Sequence, residues 1–254
     1  MTVVSTSGPS AGRPGPRTSS PSAPARATAP RSPTPMAILS TRSRIAPDHG
    51  RFGASTDPAF MFDSGTSMAT PLVAGCVAVL RETLVKNGTP KPSAALIKAM
   101  LINGADELKG QYVPSEAGPS PNNNSGFGIV NLQHAVVLPT DAGRAGFTDA
   151  KELNQAEERA FGITIPPAGP RTLKVTLVWT DPPGPALQND LDLIVRAGGQ
   201  ERHGNMGTDP GFDRINNVEQ VHWQEVPAGE AEVVVRAFRI TQFAQPYAVA
   251  WRIL

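Results

Sequence analysis

A serine hydroxyl attacks a carbonyl carbon only when a base can take its proton and donors can hold the oxyanion that forms. Ser67 stands in the run Gly65-Thr66-Ser67-Met68-Ala69-Thr70-Pro71, directly ahead of the apolar stretch Leu72 to Leu84. A glycine turn followed at once by a helix start exposes Oγ. It also aims free backbone N–H groups and the positive end of the helix dipole at a developing negative charge. The chemistry such a position offers is acyl-forming hydrolysis. Pro71 reads as a first-turn residue, where a missing N–H costs least. Gly65 and Gly75 read as points where backbone or substrate can come close. Serine is also a favoured N-cap, but a cap alone would not require the residues on either side of it.

The elements that must position Ser67 follow from pattern. A helix from Ser67 to about Lys86 is apolar nearly all round, as a buried helix is, and Asn87-Gly88 ends it. Thr89-Pro90-Lys91-Pro92-Ser93 starts a second helix, Ala94 to Ile102, which Asn103-Gly104 stops. Gly126-Phe127-Gly128-Ile129-Val130-Asn131 reads as a turn and a short strand, with Asn131 capping a last helix through Val137. Residues 1–35 are different. They hold eight Pro, seven Ser, five Ala, five Thr and four Arg, with no acid, aromatic or Lys. Such a segment cannot bury enough apolar surface to offset its ordering entropy and is expected to be disordered.

The motif Gly65 to Pro71 closely resembles the nucleophile motif of the subtilisin-like serine peptidases. Ala37-Ile38-Leu39-Ser40-Thr41-Arg42 resembles the family strand that precedes it. Ile102-Asn103-Gly104-Ala105 and Gly126 to Asn131 resemble the end of the family's catalytic domain. The resemblance covers roughly residues 36–138. It implies a partial α/β fold, the last part of a parallel sheet with helices, and peptide-bond hydrolysis with Ser67 as nucleophile on a protein or peptide substrate. The abrupt change near residue 35 suggests that the preceding text comes from a shifted reading frame or a mistaken gene start. Translating the other two frames of the upstream DNA tests this, and finding no subtilase-like sequence there would sink it.

The resemblance also implies partners for Ser67. The family order is Asp, then His, then Ser, so both would lie within the 66 residues before Ser67. Of the four histidines, His49, His134, His203 and His222, only His49 precedes Ser67. Its setting, Ala46-Pro47-Asp48-His49-Gly50-Arg51, lacks a following helix signal and reads as a loop. Asp63-Ser64-Gly65 is similar to the family's aspartate turn. It is part of the entry to the serine turn itself, however, and so cannot stand behind a histidine. The family's second oxyanion donor is an upstream asparagine, whereas Asn122 to Asn124 fall after the serine. Losing such a donor costs about 10²–10³ in kcat. This chain alone is therefore expected to be inactive. The enzymatic reading stands beside a second one: a non-catalytic fragment whose C-terminal part stabilises or docks protein.

That C-terminal part reads as β. Phe161–Ile165, Leu173–Thr180, Leu191–Arg196, Val218–Val226, Ala231–Ile240 and Tyr247–Ile253 are rich in Val, Ile, Trp and Phe and are bounded by Gly, Pro and Asp. Strands so spaced suggest a β-sandwich or jelly roll over residues 146–254. Val178 to Pro182, Asn189 to Leu193 and Asn216 to Glu219 resemble a jelly-roll domain that follows some bacterial subtilases. Asp181, Asn189, Asp190, Asp192, Asp213, Asn216 and Glu219 are oxygen donors of the kind Ca²⁺ takes as a structural ion. Asp and Asn are also ordinary turn residues, and without EF-hand-type spacing the turn reading is preferred. No cofactor is required for serine chemistry, and no Cys/His cluster suggests zinc.

Bulk properties narrow the rest. The chain has 254 residues, 39% of them hydrophobic, and a net charge of +1. That balance does not call for a nucleic-acid or anionic-membrane partner. The single cysteine, Cys76, excludes an internal disulfide framework and reads as a small core residue. No hydrophobic h-region opens the chain, although the resemblance implies secretion for full-length members. The helix after Ser67 needs burial on most sides, and the strands that would cover it are not evident. The segment carrying it is therefore expected to pack loosely or to aggregate.

Overall fold

A computed structural model describes residues 66–108, 120–122, 125–169 and 171–254. Helix α1 (Thr66–Lys86) ends at Asn87-Gly88, where Gly88 takes the positive φ that favours glycine. Helix α2 (Ala94–Asn103) runs one residue further than its sequence signal, because Gly104 rather than Asn103 is the C-cap. At the other end Ser93 Oγ accepts the Leu96 amide at 2.9 Å, while Asp149 accepts the Ser93 amide at 2.9 Å and its hydroxyl. Ser93→Ala removes the cap and the hydroxyl limb of this clasp and leaves the amide limb. It is expected to cost about 1–2 kcal/mol, read as a lower urea midpoint at unchanged slope. Helix α3 (Leu132–Ala135) is short and is capped by Asn131, whose Oδ1 accepts from Gln133 and His134. The short strand expected near Ile129 is only an isolated bridge, Ile129 with Asp106.

Beyond a 3-10 turn at Pro139–Asp141, eight strands follow: β1 (Ala145–Leu153), β2 (Glu158–Ile165), β3 (Leu173–Trp179), β4 (Asp190–Ala197), β5 (Gln200–His203), β6 (Val218–Trp223), β7 (Gly229–Arg239) and β8 (Gln245–Ile253). They form two four-stranded antiparallel sheets, ordered β1-β8-β3-β6 and β2-β7-β4-β5. The inner faces close on one core that includes Leu173, Val175, Leu177, Trp179, Leu191, Leu193, Val233 and Val249. Alternation explains the register: on β3, Val175 and Leu177 point into this core while Lys174, Thr176 and Val178 point outward.

The outward face of the first sheet is not open to solvent. Val178, Val218, Ala248 and Ala250 share a second core with Leu96, Met100 and Ile102 of α2 and with Leu80 and Leu84 of α1. Polar groups fix the fit. Lys174 Nζ donates to Ala105 O at 2.6 Å. Asn103 Nδ2 donates to Thr176 Oγ1 and Ala250 O, both at 3.2 Å. Gln220 Nε2 donates to Thr176 Oγ1 at 3.0 Å and to Ile102 O at 3.4 Å, and Arg252 Nη2 donates to Val136 O. Buried polar groups hold a unique register only when they are paired in this way. The helices therefore form a third layer on the sandwich, an arrangement the helical and strand patterns did not foretell. Among the described residues no parallel strand pair is present.

Candidate functional site

Ser67 is the second residue of α1, and it is exposed. Because the helix starts at Thr66, Pro71 lies past the first turn, not within it as its sequence context suggested. It can give no amide hydrogen to the Ser67 carbonyl. The Thr70 hydroxyl donates to Thr66 O at 2.8 Å, one carbonyl earlier. Gly75 was expected at a close approach, yet among the described residues a Cβ added there would meet nothing.

Burial along α1 is one-sided. Ala69, Leu80 and Leu84 are buried, and Val73, Cys76 and Val77 pack beside them against α2 and the Val130 region. On the other side Val79 is 49% and Val85 41% exposed. The all-round apolar character expected of a buried helix is thus met by a partner on one face only among the described residues. Cys76 is a half-buried packing residue, in line with its sequence context.

His49 and Asp63 lie outside the described residues. His134 Nδ1 lies 2.9 Å from Asp106 Oδ1 and 3.1 Å from Asn131 Nδ2, which itself donates to Asp106 Oδ2 at 2.8 Å. The group ties the α3 cap to the turn after α2. His203 stacks on Phe212 with ring centroids 4.0 Å apart, and its two nitrogens face Gly211 O and Glu201 Oε1, each at 2.7 Å. His222 stands opposite Lys174 on the first sheet, where burial and the Lys174 charge hold its imidazole below the usual pKa.

The candidate cation ligands divide into two groups. Asp181 accepts the amides of Gln188 and Asn189 at 2.8 and 2.7 Å, and Asp213 accepts those of Ile215 and Asn216 at 2.9 and 3.1 Å. Asn216 Nδ2 donates to Asp213 Oδ2 at 2.7 Å, and Asn189 Oδ1 accepts the Thr241 amide at 2.8 Å. These are turn roles. Asp190, Asp192 and Glu219, by contrast, lie in strands and are buried, which the turn reading did not anticipate. Asp192 is held by Arg214 and by Arg236, the latter at 2.6 and 2.9 Å, and Arg214 also reaches Asp190 at 3.3 Å. Among the described residues no group of three or more His, Cys, Asp or Glu side chains is arranged to hold a metal ion. Sequence reading missed the two arginines: Arg236 pairs in register with Asp192, and Arg214 comes from the segment between β5 and β6.

The site as described is an exposed serine at the start of an apolar helix that packs through α2 on the face of an antiparallel sandwich. The sequence model of the subtilase family matches residues 45–128, and that segment is similar to the subtilisin-like serine peptidases. Two relatives come from Dictyostelium discoideum. The serine protease/ABC transporter B family protein tagD is 28% identical over 249 residues, covering 72% of this chain and 14% of that protein. The similarly described tagB is 28% identical over 221 residues, covering 62% of this chain and 12% of that protein. The chain thus spans only a small part of these relatives. Among solved structures, PliG of Aeromonas hydrophila, a periplasmic inhibitor of g-type lysozyme, aligns over 46% of this chain and 93% of its own, with 11% identity and a TM-score of 0.29.

Proposed function

We propose that Ser67 is the acyl-forming nucleophile of a subtilisin-like endopeptidase and that residues 36–138 are the C-terminal portion of its catalytic domain. The observation that carries this is the exposed Ser67 at the head of α1, inside the family match. There a helix N-terminus favours developing negative charge, and the backbone amide offers one oxyanion donor. The acylation step needs a base for the Oγ proton and a carboxylate behind that base. No histidine or aspartate ahead of Ser67 in these 254 residues stands in a matching context, so on this reading the chain by itself does not hydrolyse peptides. Its substrate would be protein or peptide.

A second reading concerns the sandwich. The strand order β1-β8-β3-β6 against β2-β7-β4-β5 supports a jelly roll, a double-sheet form made of two Greek keys. The helical layer seated on its first sheet favours a stabilising role for it toward the segment that bears Ser67.

Fluorophosphonate labelling of the purified chain tests the activity. The expected result is labelling no faster than that of Ser67→Ala. Rapid labelling that depends on Ser67 would show that a competent base is present after all. Supplying the missing partners would be expected to restore labelling in the unsubstituted chain only.

A further inference from the structure

One edge of the sandwich is closed by a side chain together with the backbone of residues 204–205, which bonds Leu193 O of β4 and Gln220 O of β6, each at 2.9 Å. Strand β6 is the last of the first sheet and β5 the last of the second, and β6 contacts both β4 and β5. Glu219 of β6 stands in register with the core residue Leu177, so it points between the sheets. Its Oε2 accepts the Leu193 amide of β4 at 2.6 Å. That amide lies just past the first β4–β5 pair, Ile194 with His203, so the carboxyl stands where a strand partner runs out. Gly204 follows β5 and donates its amide to Leu193 O at 2.9 Å; a Cβ there would collide with the Glu219 side chain. The other oxygen, Oε1, is buried and has no hydrogen-bond partner.

The charges around this carboxyl come from every element packed on it. Asp190 and Asp192 approach from β4 and Asp213 from the loop 204–217. The nearby cations are committed elsewhere: Arg214 of that loop to Asp190 and Asp192, Arg236 of β7 to Asp192, and Arg239 of β7 to the carbonyls of Leu187 and Gln188. His203 of β5 is held by Gly211 O and by Glu201. An ionised Glu219 would thus have one amide donor and three carboxylates for company. A buried charge so poorly compensated is expelled or neutralised.

We infer that protonated Glu219 is an inter-sheet clasp that closes this edge of the sandwich, and that its ionisation opens the seam between β6 and β4. The proton leaves to bulk water, and the segment that must give is the start of the loop, where Gly204 bonds Leu193 O and Asn205 bonds Gln220 O, each at 2.9 Å. Desolvation, reinforced by the three aspartates, raises the Glu219 pKa well above the usual carboxylate range. Because the folded value lies above the unfolded one, the clasp's contribution is complete below the ordinary glutamate pKa. It is lost as pH rises through the folded value.

The test uses the full chain. Carboxyl ¹³C titration of Glu219 is measured together with amide-exchange protection, corrected for intrinsic rates, at Leu193 and across 204–217, in wild type and E219Q. The expected result is a Glu219 titration displaced upward. Above it, Leu193 protection falls about tenfold per pH unit in the wild type and stays level in E219Q. Titration of Glu219 in the ordinary range, or the same fall in protection in E219Q, would overturn the inference. Should E219Q not fold, the wild-type titration alone decides.

Discussion

Arg214→Met lowers unfolding free energy by about 3–5 kcal/mol, the range for removing one partner of a buried ion pair. The size follows from what it leaves behind. Asp190 and Asp192 are fully buried. Asp192 keeps Arg236, at 2.6 and 2.9 Å, but Asp190 loses the one side-chain partner at 3.3 Å that its Oδ1 has, while its Oδ2 already lacks any. The guanidinium also lies 3.7 Å over the Phe238 ring and 5.0 Å from that of Phe212. A methionine keeps the apolar stem on those rings and loses the charge. The effect has a pH signature. Burial already holds the Asp190 carboxyl above its ordinary pKa, with Asp192 adding repulsion and Arg214 opposing. Acid therefore favours the folded protonated form, and the penalty of Arg214→Met shrinks as pH is lowered. Urea midpoints for both proteins between pH 4 and 8 check the size and the sign together. Arg196→Met is the control: its pairs with Glu201 and Glu232, at 2.6 and 3.0 Å, are on the surface, and its loss is expected to stay within about 1 kcal/mol.

Legibility in the sequence followed the strength of the local signal. Strands β3, β4, β6, β7 and β8 are dense in Val, Leu, Ile and Trp, and pattern alone finds them within a few residues. Strand β1 reads Ala-Gly-Phe-Thr-Asp-Ala-Lys-Glu-Leu, and β5 reads Gln-Glu-Arg-His. Both lie at sheet edges, where one side is wet and polar residues serve as well as apolar ones, so their strand character comes from the pairing partner. Ser67 stands out in the sequence because its motif is local. Its burial environment was not, since the face that α1 turns toward α2 depends on tertiary packing. Docking of α2 is hidden for a related reason: Thr176, Gln220 and Lys174 look like the solvent side of a half-exposed strand, yet each meets a backbone or side-chain group of the helical layer or of its own sheet. The charged cluster shows the same limit. Asp190 and Asp192 fall at outward positions of β4, and only the fold brings Arg214 and Arg236 over them.

Ala250→Arg is expected to lift the helical layer off the sandwich and leave the sandwich folded. Ala250 is buried on the outward face of β8, beneath α2, and its carbonyl accepts from Asn103. An arginine there has neither room nor a free counter-charge, and burying it unpaired costs more than letting the layer go. Undocking exposes Leu96, Met100, Val178 and Val218, each fully or almost fully buried. At about 1.5–3 kcal/mol per side chain, the coupling lost is on the order of 5 kcal/mol or more. The inner core of Leu173, Leu177, Leu193 and Val233 is untouched. The expected observation is selective: amide protection across Ala94–Asn103 collapses and exposed-hydrophobe dye binding rises, while protection on β3, β4 and β7 remains. If the whole chain unfolds instead, the layer and the sandwich form one cooperative unit, and the sandwich cannot act as a separate platform. If α2 stays protected, the shared core contributes far less than its burial implies. Either outcome bears on Ser67, because among the described residues α1 joins that same core through Leu80 and Leu84, with Val73, Cys76 and Val77 beside them.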